Sequence, residues 1–214
     1  MPGTQQFPFA VRRAAYVSLI LILPLLPACA SDSASDSALM RVNGGCPSIS
    51  EQQTAKPKYA APALAYLKAN PGDHRVTEPA KQLTFLCETV DELQQKHVRF
   101  QQSYDGIPVW GQQVIVHFDK QDQATSTSGG IQTIAQALVT KPKLDKSIAS
   151  MTASKAAGAG WKARDSVLYV YPQEGGLRLA HLVNVAKGLE RAMIFVDAET
   201  GIVLNQISAS PSSN

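Results

Sequence analysis

Apolar and polar residues alternate in His97 to Lys120 (HVRFQQSYDGIPVWGQQVIVHFDK), and the alternation predicts a β-hairpin. Val98, Phe100 and Tyr104 fall on one face of an extended segment, Asp105-Gly106 forms the turn, and Val114, Val116 and Phe118 restore the period of two. With Leu83 to Val90 ahead of it, the hairpin extends to a three-stranded antiparallel meander over Leu83–Val90, His97–Tyr104 and Val109–Phe118. Ala61 to Ala69 places Leu64, Leu67 and neighbouring alanines on one helical face that can pack on this meander, and Asn70-Pro71-Gly72 ends the helix. Ser126 to Gly130 reads as a turn and Ile131 to Ile134 as a short strand. A second helix is expected from a Thr152 cap toward Trp161, with Gly158 and Gly160 each weakening it by about 1 kcal/mol relative to alanine. Strands from Ser166, Leu177, Ala192 and Ile202 follow. Helix then sheet, twice, is an α+β chain of two small subdomains, each a helix packed on an antiparallel sheet.

The wording of the hairpin goes beyond what alternation requires. His97, Val98, Arg99, Phe100, Gln101, Tyr104, Gly106, Pro108, Val109 and Gly111 together resemble the central motif of the fungalysin/thermolysin propeptide (FTP) domain, the pro-segment of secreted zinc metallopeptidases. Downstream, Ser166 to Pro172 (SVLYVYP), Leu177 to Val185 (LRLAHLVNV) and Ala192 to Val203 (AMIFVDAETGIV) resemble the PepSY-like half of the same propeptides. That resemblance includes Asp197 and Gly201 in the turn and implies a cystatin-like second subdomain. In such precursors a catalytic domain carrying H-E-x-x-H comes next, whereas this chain ends at Asn214. The expectation is a propeptide-like module free of its enzyme.

The chemistry within the chain agrees with a non-catalytic reading. None of His74, His97, His117 and His181 is followed by glutamate with a second histidine three residues on, so the two-ligand zinc helix is missing. Each histidine reads as an exposed or hairpin-surface residue. The three cysteines are too widely spaced for a C-x-x-C knuckle, and neither a phosphate loop nor a G-x-S-x-G elbow occurs. No cofactor, no metal and no catalytic residue is expected. Asp197 and Thr200 beside Gly201 read as turn chemistry, and Trp110 as a packed core residue. With 20 basic and 17 acidic residues the chain carries no basic stripe for nucleic acid, and Lys141 to Lys146 (KPKLDK) reads as a solvated linker.

The N-terminus sets the compartment. Arg12 and Arg13 precede the apolar run Ala14 to Leu26, too short to span a bilayer but suited to an export signal. Leu26-Pro27-Ala28-Cys29 resembles a bacterial lipobox, although Pro27 departs from the commoner Ala or Ser; ordinary cleavage near Ala30 is the alternative. Lipidation of Cys29 would anchor the protein in the cell envelope. Ala30 after the cysteine resembles the sorting signal for the outer membrane, facing the periplasm, if the host is Gram-negative. The expected organisation is a lipoprotein signal over 1–28, a disordered tether over 29–45, an FTP-like subdomain over 46–138, a linker over 139–147, a PepSY-like subdomain over 148–207 and a flexible tail over 208–214. Cys46 and Cys87, exported to an oxidising compartment, are expected to pair and staple the incoming segment to the first sheet, the alternative being two independent small core residues.

The resemblance implies action in trans on a thermolysin-like metallopeptidase, as inhibitor, folding chaperone or both. It also implies that the tail from Ser208 through Pro211 to Asn214 lies near the target's cleft. The alternative is an envelope module that binds peptides or cell-wall components by strand addition, with no protease partner.

Overall fold

The computed structural model describes Cys46 and residues 57–72, 74–135 and 137–208. The first helix, α1 (Ala60–Ala69), buries Ala63 and Leu67, one turn apart on the same face. Tyr59 sits at its N-cap and makes no side-chain cap bond, while a carboxylate from the sheet binds the backbone just ahead of the helix. Glu88 accepts from Lys58 N at 3.0 Å and Tyr59 N at 2.5 Å, so a negative charge lies at the positive end of the helix. Asn70 ends the helix, its backbone N–H and its Nδ2 both donating to Tyr66 O.

A single helical turn, α2 (Pro79–Gln82), feeds the antiparallel run β1 (Leu83–Val90), β2 (Lys96–Tyr104), β3 (Ile107–Phe118) and β4 (Ala124–Gly129). The β1–β2 and β3–β4 loops are built alike. Asp91 Oδ1 accepts from Leu93 N and Gln95 N, Asp119 Oδ1 accepts from Gln121 N and Gln123 N, and the fourth residue of each loop, Gln94 or Asp122, has φ of 64°. Val98, Phe100, Val114, Val116 and Phe118 form the first core against Ala63 and Leu67.

The segment read as a turn at Ser126 to Gly130 is mostly β4, an edge strand whose backbone bonds to β3 outweigh the weak strand preference of its Ser, Thr and Gly residues. The strand expected at Ile131 to Ile134 does not form. There Ile131 instead donates its N–H to His74 O and buries its side chain in the first core.

The second half opens with α3 (Lys146–Ala157). Its cap is Asp145, whose Oδ1 accepts from Ser147 N at 2.8 Å and Ile148 N at 3.0 Å. The expected Thr152 start is therefore wrong: Thr152 lies mid-helix, and the first turn falls in what reads as linker. Ala149 and Ala153 let the helix lie close on Val183, Val185, Ile194 and Val196 of the antiparallel strands β5 (Lys162–Gln173), β6 (Gly176–Lys187) and β7 (Glu190–Asp197), with β8 (Val203–Ser208) completing the sheet. The fold is α+β, two helix-on-antiparallel-sheet lobes in the order expected.

What the alternation does not announce is that both lobes share one sheet. Its order is β1-β2-β3-β5-β6-β7-β8, with β4 also on β3, and the junction is a parallel bridge between Val109 and Val170. The twelve-residue β3 serves both lobes, pairing with β4 through Val114 to Phe118 and with β5 near its start. Among the described residues no helix is long and apolar enough to cross a membrane.

Candidate functional site

The hairpin motif divides by parity. Val98 and Phe100 point into the first core, while His97, Arg99 and Gln101 occupy the opposite face of the sheet. Gln101, 9% exposed, has a structural task there: its Nε2 donates to Val109 O at 2.6 Å and Gln112 O at 2.7 Å. The β2–β3 register shifts after Gln101, and the amide bonds carbonyls of the irregular stretch of β3 that the shift brings within its reach. Gly111, with φ of 73°, lies in the same stretch and supplies a left-handed backbone that a side chain would disfavour. Asp105 and Gly106, at φ of 48° and 79°, make the tight turn between Tyr104 and Ile107. Pro108 sits opposite Ser103, and the Tyr104 hydroxyl accepts from Leu138 N at 3.3 Å.

Gln102 carries a role that the reading of the motif passed over. It is 2% exposed, and its amide forms a two-way clasp with Gln132, Nε2 donating to Gln132 O at 2.8 Å and Oε1 accepting from Gln132 N at 2.9 Å. The signal available for it was position: Gln102 has the parity of Val98 and Phe100, so its polar group had to find a buried partner.

The polar face of β2, β3 and β4 holds an ordered hydrogen-bond chain. Asp91 Oδ2 lies 3.2 Å from His97 Nε2, His97 Nδ1 lies 2.7 Å from His117 Nδ1, and His117 Nε2 lies 2.8 Å from Ser128 Oγ. The Gln95 backbone N–H, with the His97 ring and Leu93 N–H, holds the Asp91 carboxyl below its ordinary range. An ionised Asp91 places the His97 proton on Nε2, so His97 Nδ1 accepts from His117 and His117 Nε2 accepts the Ser128 hydroxyl. Burial, then the neighbouring His97 and Arg99, push His117 below its usual value. Protonating both rings would set two N–H groups face to face. The chain thus links three strands, and Ser128 at its end is exposed on the edge strand.

Sequence spacing gave no sign of this gathering, because Asp91, His97, His117 and Ser128 meet only through strand register. Nor are all four histidines surface residues. His74, 2% exposed, has Nε2 at 2.7 Å from Asn70 O and Nδ1 accepting from Val76 N; His181, also buried, has Nε2 at 2.9 Å from Leu144 O. Burial is tolerated because the ring nitrogens have partners: backbone groups at both nitrogens of His74, and Leu144 O with the Ser166 hydroxyl, 3.5 Å from Nδ1, at His181. Among the described residues no three His, Cys, Asp or Glu side chains gather in metal-binding geometry.

On the same face Arg99 Nη1 donates to Gln113 Oε1 at 3.1 Å, and burial lowers the proton affinity of its guanidinium. Cys87, paired across from Arg99, is joined to Cys46 with Cα atoms 5.8 Å apart. In the second lobe Asp197 organises the β7–β8 turn. Burial pushes its carboxyl up, but Thr200 and Glu199 backbone N–H groups bonded to Oδ1, with Arg178 near Oδ2, hold it below its ordinary range. Gly201 closes that turn at φ of 77°, and a Cβ there would stand 3.0 Å from Leu144 Cδ1. Trp110 stacks edge-on against Tyr169 and Phe195, with ring centroids 5.4 Å and 4.8 Å away. Ser208 ends β8 opposite Ala192, while Cys29, Pro211 and Asn214 lie outside the described residues, as do the signal and tether over 1–45.

The fold and the hairpin thus define an α+β module with propeptide-like character. A family model, the Fungalysin/Thermolysin Propeptide Motif, matches residues 81–131, from α2 to the end of the first core. The chain is 28% identical over 176 residues to Bacillolysin of Bacillus subtilis (strain 168), covering 74% of this chain and 34% of that protein. It is 34% identical over 130 residues to Bacillolysin of Brevibacillus brevis, covering 54% and 24%. The chain thus spans about a third of the length of the first of these relatives. Among solved structures it is similar to the Bacillus megaterium YpeB C-terminal domain, with a TM-score of 0.42 and 14% identity over 75% of this chain and 67% of that one. A BLIP-like protein from Bacteroides fragilis NCTC 9343 has a TM-score of 0.29 and 17% identity, over 76% and 93%.

Proposed function

We propose that this chain is a non-catalytic propeptide-type module that binds a thermolysin-like metallopeptidase in trans, as inhibitor, folding chaperone or both. The observation that carries the reading is that the matched motif covers the β2–β3 hairpin, whose second strand joins the first lobe to a second helix-on-sheet lobe. The 214 residues contain no H-E-x-x-H, so any such peptidase is supplied by sequence outside them. An inhibitor needs affinity for the folded enzyme, whereas a chaperone must lower the barrier to folding and so bind the folding transition state more strongly than the product.

Two assays separate the roles. Full-length protein titrated into a thermolysin-like peptidase of the same host should slow peptide cleavage with a saturable dependence on concentration. Added to that peptidase during refolding from denaturant, it should raise the yield of active enzyme if it is a chaperone. Absence of both effects would overturn the reading and leave the envelope peptide-binding or cell-wall-binding module as the better account.

The site of action is proposed to be the cell envelope, through lipid on Cys29, on the strength of the Leu26-Pro27-Ala28-Cys29 sequence. Cys29→Ser should move the protein from the membrane fraction to the soluble one or leave its signal uncleaved. A wild-type protein whose mature N-terminus lies at Ala30 or later by mass spectrometry would exclude the anchor. The Ser208 to Asn214 tail is proposed to approach the target's cleft, so deleting it should weaken inhibition while leaving binding measurable.

A further inference from the structure

Between the residues of β3 that pair with β4 and the one that bridges to β5, the strand passes a gap in the ladder, and an open cavity of about 400 Å³ lies there. Its lining includes Arg75, Arg99, Gln112, Gln113 and Gln132 and no carboxylate. Among the described residues neither arginine forms an ion pair, although opposite charges pair elsewhere on this lobe at Lys96–Asp122 and Lys58–Asp122. Arg99 is half-buried, which disfavours its charge, and one of its nitrogens is pinned by Gln113, whose own Nε2 lies 3.4 Å from Gln101 Oε1. Arg75 is held at φ of 60°, a left-handed conformation unusual for arginine, between buried His74 and buried Val76.

Backbone lines the rest of the notch. Gly129 admits no side chain, since a Cβ would lie 2.2 Å from Gln113 O, whereas a Cβ on Gly111 would meet nothing within 4 Å. The strand is therefore open to close approach beside two guanidiniums that lack a counter-charge in the cavity.

We propose that this notch is a carboxylate-binding site, which takes an acidic side chain presented by a peptide segment lying against β3. Guanidinium donates in a fixed planar fork that matches a carboxylate, and the surrounding carboxamides and strand backbone provide neutral partners for the peptide bonds on either side. The site is independent of the peptidase reading, since its ligand is defined by charge and backbone access alone.

The test uses a fluorescein-labelled, C-terminally amidated peptide with a single glutamate in a glycine-serine frame, titrated by polarisation against the full-length chain. The glutamate peptide is expected to bind at least about tenfold more tightly than its glutamine counterpart, as the loss of one charge-assisted contact predicts. Arg99→Gln and Arg75→Gln should each weaken the glutamate peptide by about tenfold, and Arg99→Lys should weaken it less than Arg99→Gln. Arg75 is exposed, so its variant keeps the test valid if Arg99→Gln fails to fold. Equal binding of the two peptides, or unchanged binding by Arg75→Gln, would overturn the proposal. So would displacement of the peptide by inorganic phosphate at concentrations where unlabelled glutamate peptide is ineffective, which would mark a phosphate site instead. No peptidase enters the assay, so its failure leaves the proposed function standing.

Discussion

Gln101 shows how a side chain on the polar face of a sheet can be structural. Its Nε2 satisfies the carbonyls of Val109 and Gln112 where β3 leaves its register with β2. Gln101→Leu keeps the bulk but removes both hydrogen bonds, and a buried acceptor that loses its donor costs about 1–3 kcal/mol. The variant should therefore unfold at lower urea with a loss of about 2–3 kcal/mol, and a loss below about 0.5 kcal/mol would show that solvent replaces the amide. The Ser128–His117–His97–Asp91 chain makes a pH prediction. His117 is pushed below its ordinary value of 6.5, so the unfolded chain takes up its proton first as the medium acidifies. The contribution is fully present above about pH 6.5 and is lost as pH falls through the lower folded value. His117→Gln should flatten the thermal midpoint against pH between 7 and 5, an effect that a merely local packing change would not produce. Asp122, held down to about 2 first by Lys96 and then by Tyr59 and Lys58, loses its contribution in a separate, more acidic window below its ordinary value of 3.8.

At the scale of the elements, strands with a buried face were legible because the period of two is imposed by burial: Val98 and Phe100, Val114 and Val116 could face one way only. β4 was not legible. Its Ala, Thr, Ser and Gly residues carry little apolar signal, and the strand exists because β3 offers it an edge. The start of α3 was hidden for a related reason. Lys141 to Lys146 looks like a charged linker, yet Asp145 within it supplies the capping oxygen, and the buried face that follows is made of alanines, which mark no stripe. The correction is testable by contrast. Asp145→Ala should cost about 1 kcal/mol through the loss of the bonds to Ser147 N and Ile148 N, while Thr152→Ala, in mid-helix, should change stability by less than about 0.5 kcal/mol. The reverse order in denaturant unfolding would restore Thr152 as the cap.

At the scale of the molecule, the decisive contact is long-range and left no local trace: β3 pairs with β2 and β4 in the first lobe and bridges to β5 in the second, so one strand serves both lobes of the shared sheet. The candidate site inherits that property. Its histidines, arginine and glutamines come from residues whose identities stand out in the sequence, but the histidines meet only through the β2–β3 register that sets His97 opposite His117, and Gln101 reaches Val109 and Gln112 where that register shifts. Trp110 lies next to that bridge and lays its ring on Tyr169 and Phe195 of the second lobe, on the sheet face opposite α3. If Trp110 makes the two lobes one cooperative unit, the wild-type chain should unfold in a single transition that is the same by far-ultraviolet circular dichroism and by the fluorescence of its two tryptophans. Trp110→Ala removes a large, partly buried ring and should cost about 3 kcal/mol. It should also separate the transitions, because the second lobe keeps its own core around Val183 and Ile194 under α3, while the first keeps Phe100 and Val116 under α1. A Trp110→Phe variant, which retains an aromatic ring against Phe195, should restore coincidence. Coincident transitions in Trp110→Ala would instead place the coupling in the backbone bridge alone.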